Sequence, residues 1–458
     1  MGCVARENDR PSAPIRWTEE RKDARMPAFV AREWNASGAI FCYSYGEMKL
    51  RAFVVEVHTT SDIDGALLQA AVDKALERMP YFRQTFVRKK GLYYYADNDL
   101  PFLVGETQEP REVGGAATNY HEVDVTYWGK VLRFAMNHAF CDGLGLNRLI
   151  ESVLWHYYCA RDGKEYPRDG IYTAALPYDH AETFDAYAEK TDADVEELKK
   201  LKGDDNRFRL PELDEPGNQG PTMYRKPVRV KADDLIAWGK ACGSSPASSV
   251  GAFAATAIAR ACDVREGVIL NVVPASLRRF LNAEKTFKNC SAAIFQPVSA
   301  ADARGLPTTE LAANLRAYMK EQMAKDETGK LLSSSINMLT HLGKRLPFFF
   351  IKRRVFAMPQ SRPQDTIYLD YVGSLRTPGY EDNIAEVRYL NTDPCLGSCF
   401  LLMSEANGSF FLTFSQTFPS DRYREAFCKV LDEQGIAYEK LPEGSYLNPL
   451  VEMPPEQR

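Results

Sequence analysis

Apolar residues recur every three or four positions after Asp64, at Leu68, Val72, Leu76 and Met79, and Pro80 follows. That spacing predicts a helix capped by Asp64 and stopped at the proline. Residues 38–58 are rich in aromatic and β-branched types and predict strands, and residues 81–96 predict a hairpin turning near Gly91. A run from Val131 to Met136 predicts a strand over 130–137; Leu146, Leu149, Ile150, Val153, Leu154 and Tyr157 then mark the buried stripe of a helix. The second half repeats the alternation. It predicts a strand at 223–230, helices near 232–242 and 247–262, a buried strand at 267–273 and another strand within 285–298. Helices are expected around 308–325 and 331–344. Residues 397–418 predict a hairpin on Asn407-Gly408, the favoured type I′ pair. Ser420 can cap a last helix bearing Tyr423, Phe427, Val430 and Leu431, ended by Gly435.

The candidate chemistry sits where the strand at 130–137 meets the next helix, in His138-Ala139-Phe140-Cys141-Asp142-Gly143. A tight turn here can hold one imidazole at an exposed strand end while the carboxylate points inward, with Gly143 letting the backbone turn sharply. That suits a single general base. An imidazole with a pKa of about 6.5 is largely neutral near pH 7, and the following helix N-terminus disfavours its charged form further. The plain alternatives are a histidine that ends a strand and an Asp142 that caps the helix beginning near Leu144. Cys141 reads as a small buried residue rather than a nucleophile.

His-x-x-x-Asp-Gly resembles the signature of the superfamily of chloramphenicol acetyltransferase, condensation domains of peptide synthetases, plant BAHD acyltransferases and alcohol acetyltransferases. Further pieces follow in that family's order: Asp64 to Phe86, Pro274-Ala275-Ser276-Leu277-Arg278, Phe287-Lys288-Asn289 and Asp370-Tyr371-Val372-Gly373. They span most of residues 34–440, and the similarity is greatest to the stand-alone bacterial alcohol-acetyltransferase-like branch. The resemblance implies an α/β fold of two chloramphenicol-acetyltransferase-like subdomains, with mixed sheets and helices, forming a V-shaped pseudo-dimer around a central tunnel. His138 would be the base, Asp142 and Gly143 would shape its loop, and Arg278 would pair with Asp142. Asn137, Asn289, Tyr371 and Gly373 become tunnel or oxyanion candidates. Two departures stand out: Asn137 replaces the extra histidine of condensation domains, and Asp370-Tyr371 replaces a Ser-Asn pair.

The implied activity is transfer of an acyl group from a thioester, expected to be acyl-coenzyme A with a donor on a separate carrier protein as the alternative, to a small-molecule hydroxyl. An amide-forming condensation enzyme using a carrier-bound donor, and a non-catalytic binding protein of the same fold, are the alternatives. No tightly bound cofactor is expected.

Length, charge and cysteines bound this picture. At 458 residues the chain exceeds the roughly 250–300 residues that one core usually serves. Residues 1–30 read as a flexible extension, 31–200 as an N-terminal subdomain carrying the motif, 201–222 as a linker and 223–458 as a C-terminal subdomain. The wider stretch 182–220 is charged and then rich in proline and glycine. A net charge of −5 gives no reason to expect nucleic-acid binding, and no apolar run is long enough to span a membrane. The ten cysteines show no Cys-x-x-Cys, which suits a reducing cytoplasm, and the six histidines form no metal-type cluster. A monomer is expected. Phe348-Phe349-Phe350, flanked by Lys344, Arg345, Lys352, Arg353 and Arg354, reads as a helix with an apolar face and basic ends; coenzyme A phosphates or a membrane surface are alternative partners.

Overall fold

The computed structural model describes residues 28–45, 52–191, 206–218, 222–357, 366–391 and 399–447. Most of the expected N-terminal extension, the charged run at 192–205 and Cys395 lie outside the described residues.

The first half opens with β1 (Ala31–Trp34), α1 (Ala39–Tyr45), β2 (Ala52–Thr59) and α2 (Gly65–Arg78). Asp64 caps α2 by accepting from the backbone of Ala66 and Leu67, and the apolar stripe of that helix is buried. The hairpin of β3 (Thr85–Lys89) and β4 (Leu92–Ala96) turns through Lys90 and Gly91, both at positive φ. Strands β5 (Gly105–Glu106), β6 (Val123–Trp128) and β7 (Val131–Asn137) lead into α3 (Gly143–Asp162). All six residues of the predicted α3 stripe are buried.

Residues 38–45 depart from the strand expectation: they form α1. The Asn35 carboxamide accepts from Gly38 N–H at 2.9 Å and so starts a turn that outweighs the β preference of the aromatic residues. Ala39 and Tyr43 then bury against Phe356.

The second half contains β8 (Thr222–Lys231), β9 (Val268–Ser276), β10 (Ser291–Ser299), β11 (Ile367–Tyr371), β12 (Ile384–Asn391), β13 (Cys399–Ala406), β14 (Ser409–Gln416), β15 (Tyr438–Lys440) and β16 (Gly444–Leu447). Helices Ala232–Ala241, Pro246–Ala261, Thr308–Ala324 and Asp326–Arg345 intervene, and Arg422–Glu433 follows β14. Asn407 and Gly408, at φ +44° and +66°, join β13 to β14 as the turn pair requires. Asp421, rather than Ser420, holds the cap position of the last helix.

Two mixed sheets result. An eight-stranded sheet runs β10-β9-β11-β13-β14-β8-β15, with β16 also on β8. A five-stranded sheet runs β12-β2-β7-β6-β5. Each has its own hydrophobic core. The two halves are not a simple cut in the chain. β12 lies antiparallel against β2, with Val387 opposite Val57, so a segment within 223–458 completes the N-terminal sheet. A sequence pattern marks a strand but not its partner. Residues 206–218, assigned to the linker from sequence, pack instead: Leu210 and Leu213 enter the second core, and Phe208 N–H bonds to Val268 O at 2.7 Å.

Candidate active site

The two sheets deliver side chains to one shared cavity of about 370 Å³. From the first half come Phe41, Phe53, His138, Asp142, Gly143 and Leu144; from the second come Arg278, Ser291, Tyr368, Asp370, Tyr371 and Phe400, among others.

His138 follows β7 directly and is half-buried. Its ring stacks on Phe41 at 4.7 Å and 9°, and meets Phe53 nearly edge-on at 5.8 Å. The turn that carries it is held by three separate side chains on three successive carbonyls. Asn289 Nδ2 donates to His138 O at 2.9 Å, Asn35 Nδ2 to Ala139 O at 3.0 Å and the Tyr95 hydroxyl to Phe140 O at 3.1 Å. Each of these elements comes from a different part of the chain, so the turn is fixed by the assembled fold.

Asp142 closes the turn from below. It is the N-cap of α3, accepting from Gly145 N–H at 2.9 Å. It also accepts from Cys290 N–H at 3.0 Å and takes both arms of the Arg278 guanidinium at 2.8 Å. The capping and pairing roles therefore coexist. Burial pushes the Asp142 carboxyl up, but the Arg278 charge and the hydrogen bonds outweigh it and hold the group below its ordinary range. Arg278 is anchored in turn on the carbonyls of Thr286 and Lys288, at 3.2 and 3.1 Å. Asp142 is thus a buried carboxylate held by hydrogen bonds from three residues.

Gly143 has a reason other than the sharp turn expected of it. Its φ is not positive; a Cβ there would stand 2.9 Å from a Val372 methyl. Gly145 is tighter still, since a Cβ would fall 2.0 Å from Phe287 O. Gly38 makes the same allowance on the other side of the motif, where a Cβ would fall 1.9 Å from Ala139 O. These glycines let other elements press onto the histidine turn.

Of the remaining candidates, Asn137 is turned into the protein. It donates to Glu122 at 2.9 Å and accepts from Ala139 N–H at 3.0 Å. Burial drives the Glu122 carboxyl up to about 7. Asn289 grips the His138 carbonyl, and Gly373 sits at φ +96° with its carbonyl accepting from Tyr389. None of the three is among the described residues lining the cavity. Tyr371 does line it, and its hydroxyl donates to Glu405 at 3.1 Å. Cys141 is fully buried against Met136, and burial followed by the Asp142 charge raises its thiol well above the ordinary range. The basic aromatic segment lies off the cavity: Phe348 and Phe350 stack on each other in solvent, while Lys352 is buried against Gly91 O.

Sequence reasoning missed Asn35, Tyr95 and Asp370. Asn35 and Tyr95 lie far from the motif in the chain and act through hydrogen bonds that carry no local pattern. Asp370 was visible only as a departure from Ser-Asn.

No protein-family model and no curated protein matches the sequence. Solved structures do match in fold. The polyketide synthase associated protein 5 of Mycobacterium tuberculosis aligns with a TM-score of 0.59 at 14% identity, over 89% of this chain and 98% of that one. The trichothecene 15-O-acetyltransferase of Fusarium sporotrichioides aligns with a TM-score of 0.57 at 10% identity, over 88% and 94%. A second protein of that fungus, complexed with coenzyme A and T-2, aligns with a TM-score of 0.53 at 12% identity, over 88% and 98%. The chain therefore has the two-subdomain mixed α/β fold of these proteins.

Proposed function

We propose that this protein transfers an acyl group from a thioester donor, acyl-coenzyme A, to the hydroxyl of a small-molecule acceptor, and that His138 is the general base. The observation that carries the reading is the histidine turn itself: a cavity-lining imidazole whose backbone is clamped at residues 138, 139 and 140 by Asn289, Asn35 and Tyr95. Such fixing makes sense where a proton must be taken in one geometry. The fold shared with an O-acetyltransferase and with a coenzyme A complex supports the donor and acceptor classes. By this reading the protein falls in the alcohol-acetyltransferase-like branch.

In the proposed step the acceptor hydroxyl gives its proton to the imidazole and its oxygen attacks the thioester carbonyl. The carbon–sulfur bond then breaks, and the departing thiolate takes the proton back. His138 ends as it began. The step forms no acyl-enzyme, which agrees with the buried, protonated Cys141 thiol. Tyr371 can serve the transient oxyanion only by releasing the bond it now makes to Glu405.

The test is thiol release from acyl-coenzyme A donors of graded chain length, with and without pooled alcohols. Acceptor-dependent release is expected. Release that no alcohol accelerates, with any donor, would reject the reading.

A further inference from the structure

The cavity holds a charge that the acyl-transfer step leaves unused. Strand β11 alternates its side chains: Ile367 and Leu369 enter the second core, while Tyr368 and Asp370 face the cavity. Asp370 is half-buried there. Among the described residues no cationic side chain forms an ion pair with it, and the backbone of Tyr371 hydrogen-bonds to it. Arg278 also lines the cavity, but Asp142 occupies both of its arms. Among the described residues the lining therefore has two carboxylates to one guanidinium.

The chemistry of the wall fits that charge to one kind of partner. Phe41, Phe53, Tyr368 and Phe400 surround the space, and the last two stack at 5.1 Å. Aromatic faces attract an organic cation, and a carboxylate at the same site adds direct Coulomb attraction. A neutral occupant would leave the carboxylate half-buried without a counter-charge. An anionic one would meet repulsion. Burial and the nearby Asp142 charge, in that order, already raise the Asp370 carboxyl to about 6, the mark of an anion short of a partner. A cavity of about 370 Å³ lined by both His138 and Asp370 suits one small molecule reaching both.

We propose that Asp370 and the aromatic wall bind a protonated amine on the acceptor, so that the acceptor class is an amino alcohol. The inference rests on the acyl-transfer reading for the word acceptor; the ammonium site itself does not.

Two measurements separate the claims. The first is equilibrium binding of benzylammonium and butylammonium against benzyl alcohol and butanol, by ligand-observed NMR and calorimetry. The wild type should prefer each cation to its neutral isostere by about tenfold or more, the scale of one cation held by a carboxylate and an aromatic face. Asp370→Asn should lose that preference, and Asp370→Ser, smaller and uncharged, gives the same reading if the asparagine variant folds poorly. Equal binding of cation and isostere by the wild type, or an undiminished preference in the folded variants, would overturn the site. The second is thiol release with amino alcohols and their neutral isosteres. A wild-type kcat/KM favouring amino alcohols, with the ratio collapsing in Asp370→Asn, supports the assignment. Release with neutral alcohols only would defeat the amino-alcohol assignment while leaving acyl transfer intact. Cation binding through Asp370 without release from any acceptor would defeat acyl transfer while leaving the ammonium site intact.

Discussion

Removing Arg278 tests how the histidine turn is held. The Asp142 and Arg278 side chains are only 6% and 8% exposed, and two 2.8 Å bonds join them. Arg278→Ala leaves the carboxylate buried with only the Gly145 and Cys290 N–H groups, and it strips donors from the Thr286 and Lys288 carbonyls. Breaking one side of such a pair costs roughly 3–5 kcal/mol. Orphaned carbonyls add about 1 kcal/mol or more, so we expect about 5 kcal/mol at pH 7. Urea unfolding followed by tryptophan fluorescence measures it.

The pH dependence gives an independent sign. In the wild type the Asp142 carboxyl is depressed, so its contribution is present above the unfolded pKa and is lost as pH falls through the lower folded value. Without the guanidinium, burial, the largest influence on the group, is opposed only by the Gly145 and Cys290 N–H bonds, and we expect it to raise the carboxyl instead. The variant's deficit should then shrink between pH 7 and pH 5 as the carboxyl takes a proton. Asp142→Ala/Arg278→Ala, which buries no lone charge, should be more stable than Arg278→Ala. A loss below about 1 kcal/mol for Arg278→Ala, well under the range for a broken buried pair, would refute the reasoning. So would a double variant that is less stable than the single one.

Other outcomes follow from the same contacts. Asn35→Asp keeps the acceptor for Gly38 N–H but loses the donor to Ala139 O; kcat should fall while donor KM holds, and a change confined to melting temperature would reduce Asn35 to a structural role. Cys141→Ala should retain activity in the thiol-release assay, because the thiol is buried and protonated; its inactivation, with an acyl group trapped on the wild-type cysteine, would point to covalent catalysis. Burial lifts Glu151 to about 7, so its folding penalty grows as pH rises from near 4.5 to about 7 and persists above. Glu151→Gln should therefore gain melting temperature relative to wild type at pH 8 and lose that gain at pH 4; an equal difference at both pH values would contradict the assignment.

Local features were the legible part of the sequence. Asp64 with its apolar stripe and Asn407-Gly408 each specify their element within a few residues, and tertiary context agrees with them. The histidine motif was legible because a strand, a turn and a cap coincide in six positions. What was not legible depends on partners distant in the chain. Residues 38–45 look like a strand until Asn35 starts a helix. β12 belongs to the N-terminal sheet only because β2 offers it an edge. The local sequence makes Gly143 a turn residue, whereas Val372, more than two hundred residues away in the chain, is what excludes its side chain.

The most direct test of the central claim is turnover by His138→Ala with a responsive donor and alcohol, alongside wild type. The imidazole lines open space rather than a core, so the variant should fold and bind donor as wild type does. A base in this role is worth about 10²–10⁴-fold, and kcat should fall by that factor. An unchanged kcat in a folded variant that still binds donor would contradict the assignment of His138 as the base.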